Sequence, residues 1–515
     1  YDFRERAPAA ATRDMYLDQD GQVIKGASLN GARAVGVPGM IAGLVEVHRR
    51  HGTLPLADVI APALSLARDG FPVYQDLHDM IHRARSSMGP AMRAVFTPGD
   101  RVPAVGEVLV QTDLARTLSA IAENGASPMH SAGGAIARDL ANYMRENGGA
   151  VTTGDLAAYR VQARSPLWGE YRGHKIAIMP PPSSGVFILE MLGMLQTKNL
   201  RALYERYGDH PYGRPAQYEH FLAEVFRRGY ADRAKLGGDP AFFPVPTDLL
   251  KSAEYTRERA ADIALDSANE SATLPYPDRV RESIPALRRS PAARPESTET
   301  THFSILDSRG DAVASTQSIN VIFGARVMLP GWGIVLNDTM DDFSAAPDEP
   351  NAYGLVGGEA NAIAPGKTPL SSMSPTIVFA RPGETIWDGR AATVVEAGGP
   401  LRPRLVLGSP GGSRIITAIL HTIVNDIDFG LHPYASVARG RIHHQYLPDQ
   451  LYLADSPAGR GRRAELESLG HEVADSRWQA KVFAVRADAA GFVGVSDPRG
   501  DGQPLGDLDG TAEKK

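Results

Sequence analysis

Hydrophobic and polar positions change period twice along this chain. Residues 36–73, GVPGMIAGLVEVHRRHGTLPLADVIAPALSLARDGFPV, carry apolar positions at helical spacing, punctuated by Gly and Pro. Met40, Leu44 and Val47 fall on one helical face, and Val59, Leu64 and Leu66 support a second helix. Residues 111–147 read as helix up to the Gly148-Gly149 stop. HKIAIMPPPSSG (174–185) reads as a short strand running into a proline-rich turn, and FILEMLGML (187–195) as the helix after it. A helix over 217–236 has Phe221, Val225 and Phe226 on its apolar side. The first 260 residues therefore predict mostly helix with a few strands.

Residues 264–299 lose the pattern. ALDSANESATLPYPDRVRESIPALRRSPAARPESTE is polar and rich in Ser, Pro and charge, and by composition reads as a linker, loop or exposed tail. Then the period becomes two. Thr301, Phe303 and Ile305 alternate with His302, Ser304 and Leu306, and THFSILDSRGDAVASTQSIN predicts a hairpin turning at Ser308-Arg309-Gly310. TIVFA (376–380) and LVLGS (405–409) are further strands, and VFAVRADAAGFVGVSD (482–497) a second hairpin. One long helix, SRIITAILHTIVNDI (413–427), follows a glycine-rich entry, with Ser413 as its expected N-cap. No internal repeat occurs. Helix-rich, then polar, then strand-rich with a few helices is the order expected of a layered α+β or α/β protein.

Composition narrows the chemistry. At 515 residues the chain exceeds one compact core. Apolar residues make up 43% and charged residues 22%, ordinary for a globular protein, and the net charge of −6 supplies no basic field for nucleic acid. Cys is absent, which excludes disulfides, thiolate metal sites and a Cys nucleophile. No apolar run reaches the 18 or so residues of a membrane span. The chain opens on YDFRERAP, which reads as the inside of a domain.

The abrupt strand start at Thr300-Thr301 raises a specific possibility. A mid-chain threonine hydroxyl is inert without a base. A cut before it would free an α-amine, of unperturbed pKa about 8, that could take the proton. Such chemistry needs a cleavable, exposed segment before the threonine and a rigid strand opening on it, and residues 264–301 have that layout. The plainer local reading is a β-branched pair at an ordinary strand start. LVLGSPGGSRII (405–416) is strand, glycine turn and helix start: an oxyanion hole, a phosphate cradle without the P-loop Lys, or only a tight turn. PLSSMSPT (369–376) offers three hydroxyls that suit a carboxylate or turn chemistry. NDTMDDFS (337–344) offers paired carboxylates for an ammonium or metal, or a solvated loop. Arg4 could clamp a carboxylate. His302 and His443-His444 lack metal-ligand spacing and read as core or surface residues, and no G-x-S-x-G elbow occurs.

Together these stretches resemble the γ-glutamyltransferase (γ-glutamyltranspeptidase) family of N-terminal-nucleophile hydrolases. The likeness runs in family order through DFRERAPAAATRDM, GVPGMIAG, LARDGFPV, NGGAVTTGDLAAY, MPPPSSG, YADRAKLGGDP, ETTHFSILDSRGDAVASTQSIN, GIVLNDTMDDFSAAPDEPNAYGLVGGEANAIAPGKTPLSSMSPTIV, GSPGGSRIIT and SDPR. It implies a precursor that cuts itself between Glu299 and Thr300. The large subunit, 1–299, and the small one, 300–515, would then form a heterodimer with the four-layer αββα sandwich of that superfamily, an α+β fold. Thr300 would be the nucleophile in both autocleavage and acyl transfer, with Ser318 supporting it and Gly411 and Gly412 forming the oxyanion hole. Arg4, Ser371 and Ser372 would hold the substrate's α-carboxylate, Asn320 and Asp342 its α-amino group, and Tyr353 would cover the pocket. Thr339 stands where members usually carry Gln or Glu for the α-amino group.

The implied activity is transfer of a γ-glutamyl group from glutathione or similar amides to water or to an amino-acid or peptide amine, without cofactor or metal. The shorter Thr339 keeps a second enzyme reading open, an amidase or acylase acting on glutaryl amides. An unprocessed binding homologue is the non-enzymatic alternative. The resemblance implies a protein of the periplasm or the cell exterior; the signal peptide and Gly-rich early motif of the family are not present in this sequence.

Overall fold

The computed structural model describes residues 1–207, 214–277, 300–346, 349–454, 457–476 and 479–506. Alternating apolar residues build one six-stranded antiparallel sheet, in the order Gly491–Ser496, Phe483–Asp488, Pro403–Gly408, Thr376–Phe379, His174–Ile178, Leu167–Tyr171. On one face Ile176, Ile178, Val378, Leu405 and Leu407 pack against the helices Gly185–Leu195, Ala216–Leu236 and Ile415–Ile427 in the largest buried cluster. Each large apolar side chain removed from water there contributes roughly 1.5–3 kcal/mol.

The opposite face carries a second layer. Strands Thr300–Leu306 and Ala312–Ser318 pair antiparallel, with Thr300 opposite Ser318 and His302 opposite Thr316. The hairpin lies against the central strand so closely that a Cβ on Gly408 would stand 2.3 Å from the His302 ring. This close approach explains an unusual burial pattern. His302 faces inward at 5% exposure, while Phe303 and Ile305 point outward at 40% and 50%. Beyond the hairpin, the segment Tyr1–Glu5 and Met40, at the start of the helix Met40–His51, line a cavity of about 140 Å³ together with Ala314–Ser318.

The helices form where the periodicity predicts them, with corrections of detail in both halves of the chain. Residues 111–147 are three helices, Thr112–Asn124, Ser127–His130 and Ala135–Glu146, because Gly125 turns left-handed (φ 61°) and Pro128 opens the short middle one. The helix expected from Ser413 begins at Ile415, after a 3-10 turn Gly412–Arg414, so that Arg414 takes the N-cap position. The helix Ala216–Leu236 is also more than one-sided. Nearly all of it is buried, including Glu219, Glu224, Arg227, Arg228, Asp232 and Arg233. Most of those charges are paired: Arg259 meets Asp232 at 3.1 Å and Arg462 meets Glu219 at 2.6 Å. Of the polar segment 264–299, only 264–277 falls within the described residues.

Several buried histidines make the fold acid-sensitive. Burial holds His302 down at about 3 and His444 at about 4, against 6.5 for a free ring, and also holds His421 and His443 well below the free-ring value. Below pH 6.5 the unfolded chain takes up protons that these folded rings refuse, so stability is lost as pH falls from 6.5 towards 4. The slope is about 1.4 kcal/mol per pH unit for each such ring. The urea midpoint is expected to drop sharply between pH 7 and pH 5. An unchanged midpoint would mean that the rings protonate inside the fold.

Candidate active site

Thr300 occupies the head of its strand, and the hairpin register sets what it touches. Its hydroxyl donates to Ser318 Oγ across the pair at 3.0 Å. The backbone N–H of Asn320 donates to the same Ser318 oxygen at 2.9 Å. Asn320 itself is left-handed (φ 78°), and its Nδ2 donates to the Asp338 carbonyl at 3.1 Å, which leaves the amide oxygen as the end able to accept. The Asn320 carbonyl accepts the Tyr353 hydroxyl at 2.6 Å.

Tyr353 links this group to the glycine turn. A Cβ on Gly412 (φ 55°) would fall 2.3 Å from the Tyr353 ring, and one on Gly411 (φ 132°) 2.5 Å from Ala480 Cβ, so both positions require glycine. These residues open the 3-10 turn and the helix behind it, where the first amides have no helical acceptor and can face an anion. Gly411 and Thr300 line one cleft of about 1110 Å³, with Thr301, Pro410, Lys481 and Phe483 among its other walls. A hydroxyl and N–H donors around one cleft are the parts needed to attack a carbonyl and hold the resulting oxyanion.

The charged residues converge next to it. Arg4 and Ser318 line the same small cavity. The Arg4 guanidinium pairs directly with Asp342, and its Nε donates to the Pro369 carbonyl at 3.2 Å. Burial pushes the Asp342 carboxyl up, and Arg4 pulls it back. Ser371 is placed by its backbone: its N–H donates to the Pro182 carbonyl at 2.8 Å and its own carbonyl accepts the Ser184 hydroxyl at 2.5 Å. Thr339 is 1% exposed. Its hydroxyl faces the buried Glu5 carboxyl and has no other partner among the described residues. Burial raises Glu5, with Arg4 opposing.

Several residues at the site carry no obvious mark in the sequence. Arg233 donates through Nε to Ser184 Oγ (2.9 Å) and through Nη2 to Ser372 Oγ (3.2 Å). It sits among other charges in a helix whose sequence resembles a solvated one, and the only hint is the YADR segment within the family likeness. Of the paired carboxylates in NDTMDDFS, Asp341 is committed to the Ser28 hydroxyl (2.7 Å) and the Ala352 N–H (2.7 Å), leaving Asp342 at the site. Glu299 lies outside the described residues.

His220, Glu224 and His471 form the one buried group of metal-ligand type found among the described residues. They make a hydrogen-bonded relay: His220 meets His471 at 2.7 Å and the Ala264 carbonyl at 2.9 Å, while Glu224 accepts from Arg227 at 3.1 Å and Arg228 at 2.7 Å. Two guanidiniums already balance that carboxylate, so the charge around it does not favour a cation.

A threonine opening a strand of a two-sheet sandwich, beside a glycine turn and the Arg4–Asp342 pair, places the fold among the αββα N-terminal-nucleophile hydrolases. The chain belongs to the γ-glutamyltranspeptidase family, whose model matches residues 1–507. It is 40% identical over 503 residues to the glutathione hydrolase proenzyme of Escherichia coli (strain K12), covering 97% of this chain and 79% of that protein. Its fold is similar to the cephalosporin acylase of Bacillus halodurans, with a TM-score of 0.76 at 24% identity over 98% of this chain and 83% of that one. The γ-glutamyltranspeptidase of Helicobacter pylori aligns with a TM-score of 0.50 at 34% identity, over 53% of this chain and 77% of that one.

The Arg4–Asp342 pair can be tested directly. Arg4→Met leaves a mostly buried carboxylate unpaired and is expected to cost roughly 3 kcal/mol, read as a lower urea midpoint. Arg4→Met combined with Asp342→Leu should recover most of that loss. Equal destabilisation by the single and double variants would show that the two groups are not coupled.

Proposed function

We propose that this chain is the precursor of a γ-glutamyltransferase that hydrolyses glutathione-like γ-glutamyl amides and passes the acyl group to water or an amine. The observation that carries this reading is the Thr300–Ser318 contact at the head of a strand, on the same cleft as Gly411. The proenzyme name of the Escherichia coli relative supports the processing step.

In maturation, Thr300 Oγ attacks the Glu299 carbonyl, the peptide bond becomes an ester, and water releases the two subunits, 1–299 and 300–515, as a heterodimer. The new α-amine, of unperturbed pKa about 8, is the base for turnover. It takes the Thr300 hydroxyl proton as Oγ attacks the substrate γ-carbonyl. The oxyanion forms beside the Gly411 and Gly412 amides. The proton passes to the leaving amine, and the γ-glutamyl ester stays on Thr300. Water or an acceptor amine then attacks that ester by the same route. Ser318 steadies the nucleophile throughout.

Chemistry assigns the substrate's two charges. Arg4, Ser371 and Ser372 are donors and suit its α-carboxylate, while Asp342 and the Asn320 amide oxygen are acceptors and suit its α-ammonium. The substrate zwitterion thus lies antiparallel to the Arg4–Asp342 pair, with Tyr353 closing over it. Thr339 supports a second reading. Its hydroxyl faces Glu5, so one ammonium acceptor is short, and glutaryl amides, which lack the ammonium, become better substrates. Among the described residues no helix is long and apolar enough to cross a membrane. We place the enzyme in the periplasm or outside the cell on family resemblance.

N-terminal sequencing of purified protein is expected to give a second start reading Thr-Thr-His-Phe-Ser. Thr300→Ala should remove both that second start and all turnover above background; a variant that still processed itself would exclude Thr300. A γ-glutamyl anilide should be turned over with kcat/KM about tenfold above the glutaryl anilide, the worth of one charged hydrogen bond. A reversed preference would establish the acylase reading instead.

A further inference from the structure

We propose that Arg233 is a positioning residue for the substrate's α-carboxylate, acting through Ser184 and Ser372 without touching the substrate. This rests on the reading of the site given above. Arg233 lies in the last turn of the helix Ala216–Leu236 and is 4% exposed. One guanidinium bridges Ser372 of the carboxylate loop and Ser184 of the PPPSSG turn. Its Nη2 donates to Ser372 Oγ at 3.2 Å, and its Nε donates to Ser184 Oγ at 2.9 Å. Ser184 passes the contact on, donating its own hydrogen to the Ser371 carbonyl at 2.5 Å.

Two physical consequences follow. The Ser372 oxygen accepts from a cation, so its own hydrogen is polarised and becomes a stronger donor towards an anion. The second concerns charge. Arg227 and Arg228, on the same helix, each pair with carboxylates, at 3.1 Å to Glu224 for the first and 2.7 Å to Glu224 for the second. Arg233 meets hydroxyl oxygens and makes no ion pair among the described residues. Burial lowers it to about 10, with Tyr230 and Asp342 opposing and Arg4 adding to the fall, so it remains a cation at neutral pH. A buried cation without a direct counter-ion is costly unless an anion arrives, and a carboxylate bound at Ser371 and Ser372 supplies one. Lysine could not do the same work, because one ammonium cannot present the planar fork that reaches both serines.

The test uses the mature enzyme and three anilides. The γ-glutamyl compound has both charges, the glutaryl compound keeps the carboxylate and lacks the amine, and the 4-aminobutyryl compound keeps the amine and lacks the carboxylate. Arg233→Met is expected to raise KM for the first two about tenfold with kcat within about twofold, and to leave the 4-aminobutyryl compound nearly unchanged. Arg233→Lys should fall between, and the penalty of either variant should largely vanish in a Ser372→Ala background. Equal losses on all three compounds would mark Arg233 as merely structural and overturn the proposal, as would unchanged KM values. If Arg233→Met does not mature, the Arg233→Lys and Ser372→Ala cycle decides by the same criteria. An unaltered enzyme that handled the 4-aminobutyryl compound as well as the γ-glutamyl one would overturn the carboxylate site itself, visible before any variant is made, and this proposal with it.

Discussion

The His302 ring sits in a hollow that only a glycine at position 408 can leave, and that contact seats the hairpin on the main sheet. Both ring nitrogens are occupied, Nδ1 by Thr316 Oγ1 at 2.8 Å and Nε2 by Ser304 Oγ at 2.9 Å. Burial keeps the ring neutral, so it can sit beside hydroxyls that orient to suit it. A one-residue slip of this strand would turn His302 out and drive Phe303 into the glycine hollow. The register that prevents the slip is the same register that sets Thr300 opposite Ser318. The placement of Thr300 therefore rests on packing two residues further along its strand.

A second constraint is electrostatic. The helix Ala216–Leu236 carries charges on every side and is buried almost throughout. Such a helix folds only if its charges find partners elsewhere in the chain, and Arg259, Asp262, Asp449 and Arg462 provide them. Those pairs hold the helix at a fixed depth and rotation. They thereby bring Arg233 to the PPPSSG turn and to the Ser371-Ser372 loop, two segments distant in sequence. The cost of burying charge along the helix is tied to the aim of its last turn.

What is local and repetitive in this fold is legible in the sequence. The period-two runs became the two hairpins and the central strands because alternation reports a pleated, half-buried surface directly. The Gly411-Gly412 turn was visible because close approach and positive φ demand glycine. Ser413 misled as a helix start, since the 3-10 turn delays the helix by two residues and a cap motif cannot reveal that. The inward and outward faces of the first hairpin were also hidden. His302 goes in and Phe303 out for a reason that lies on another strand, at Gly408. Arg233 was hidden for the same reason, because a charge in a polar helix looks solvated until its partners are placed.

These constraints also bear on how one threonine could serve two reactions. Thr300 is held by Ser318 and by the hairpin ladder that follows it, all on its C-terminal side. None of those contacts uses a residue before 300. A cut at that bond would thus convert an amide nitrogen into a basic amine while leaving the hydroxyl where the ladder holds it. A hydroxyl held only from its C-terminal side would then present the same geometry to the carbonyl of a substrate, without rebuilding. Breaking the bond before Thr300 would add only the base.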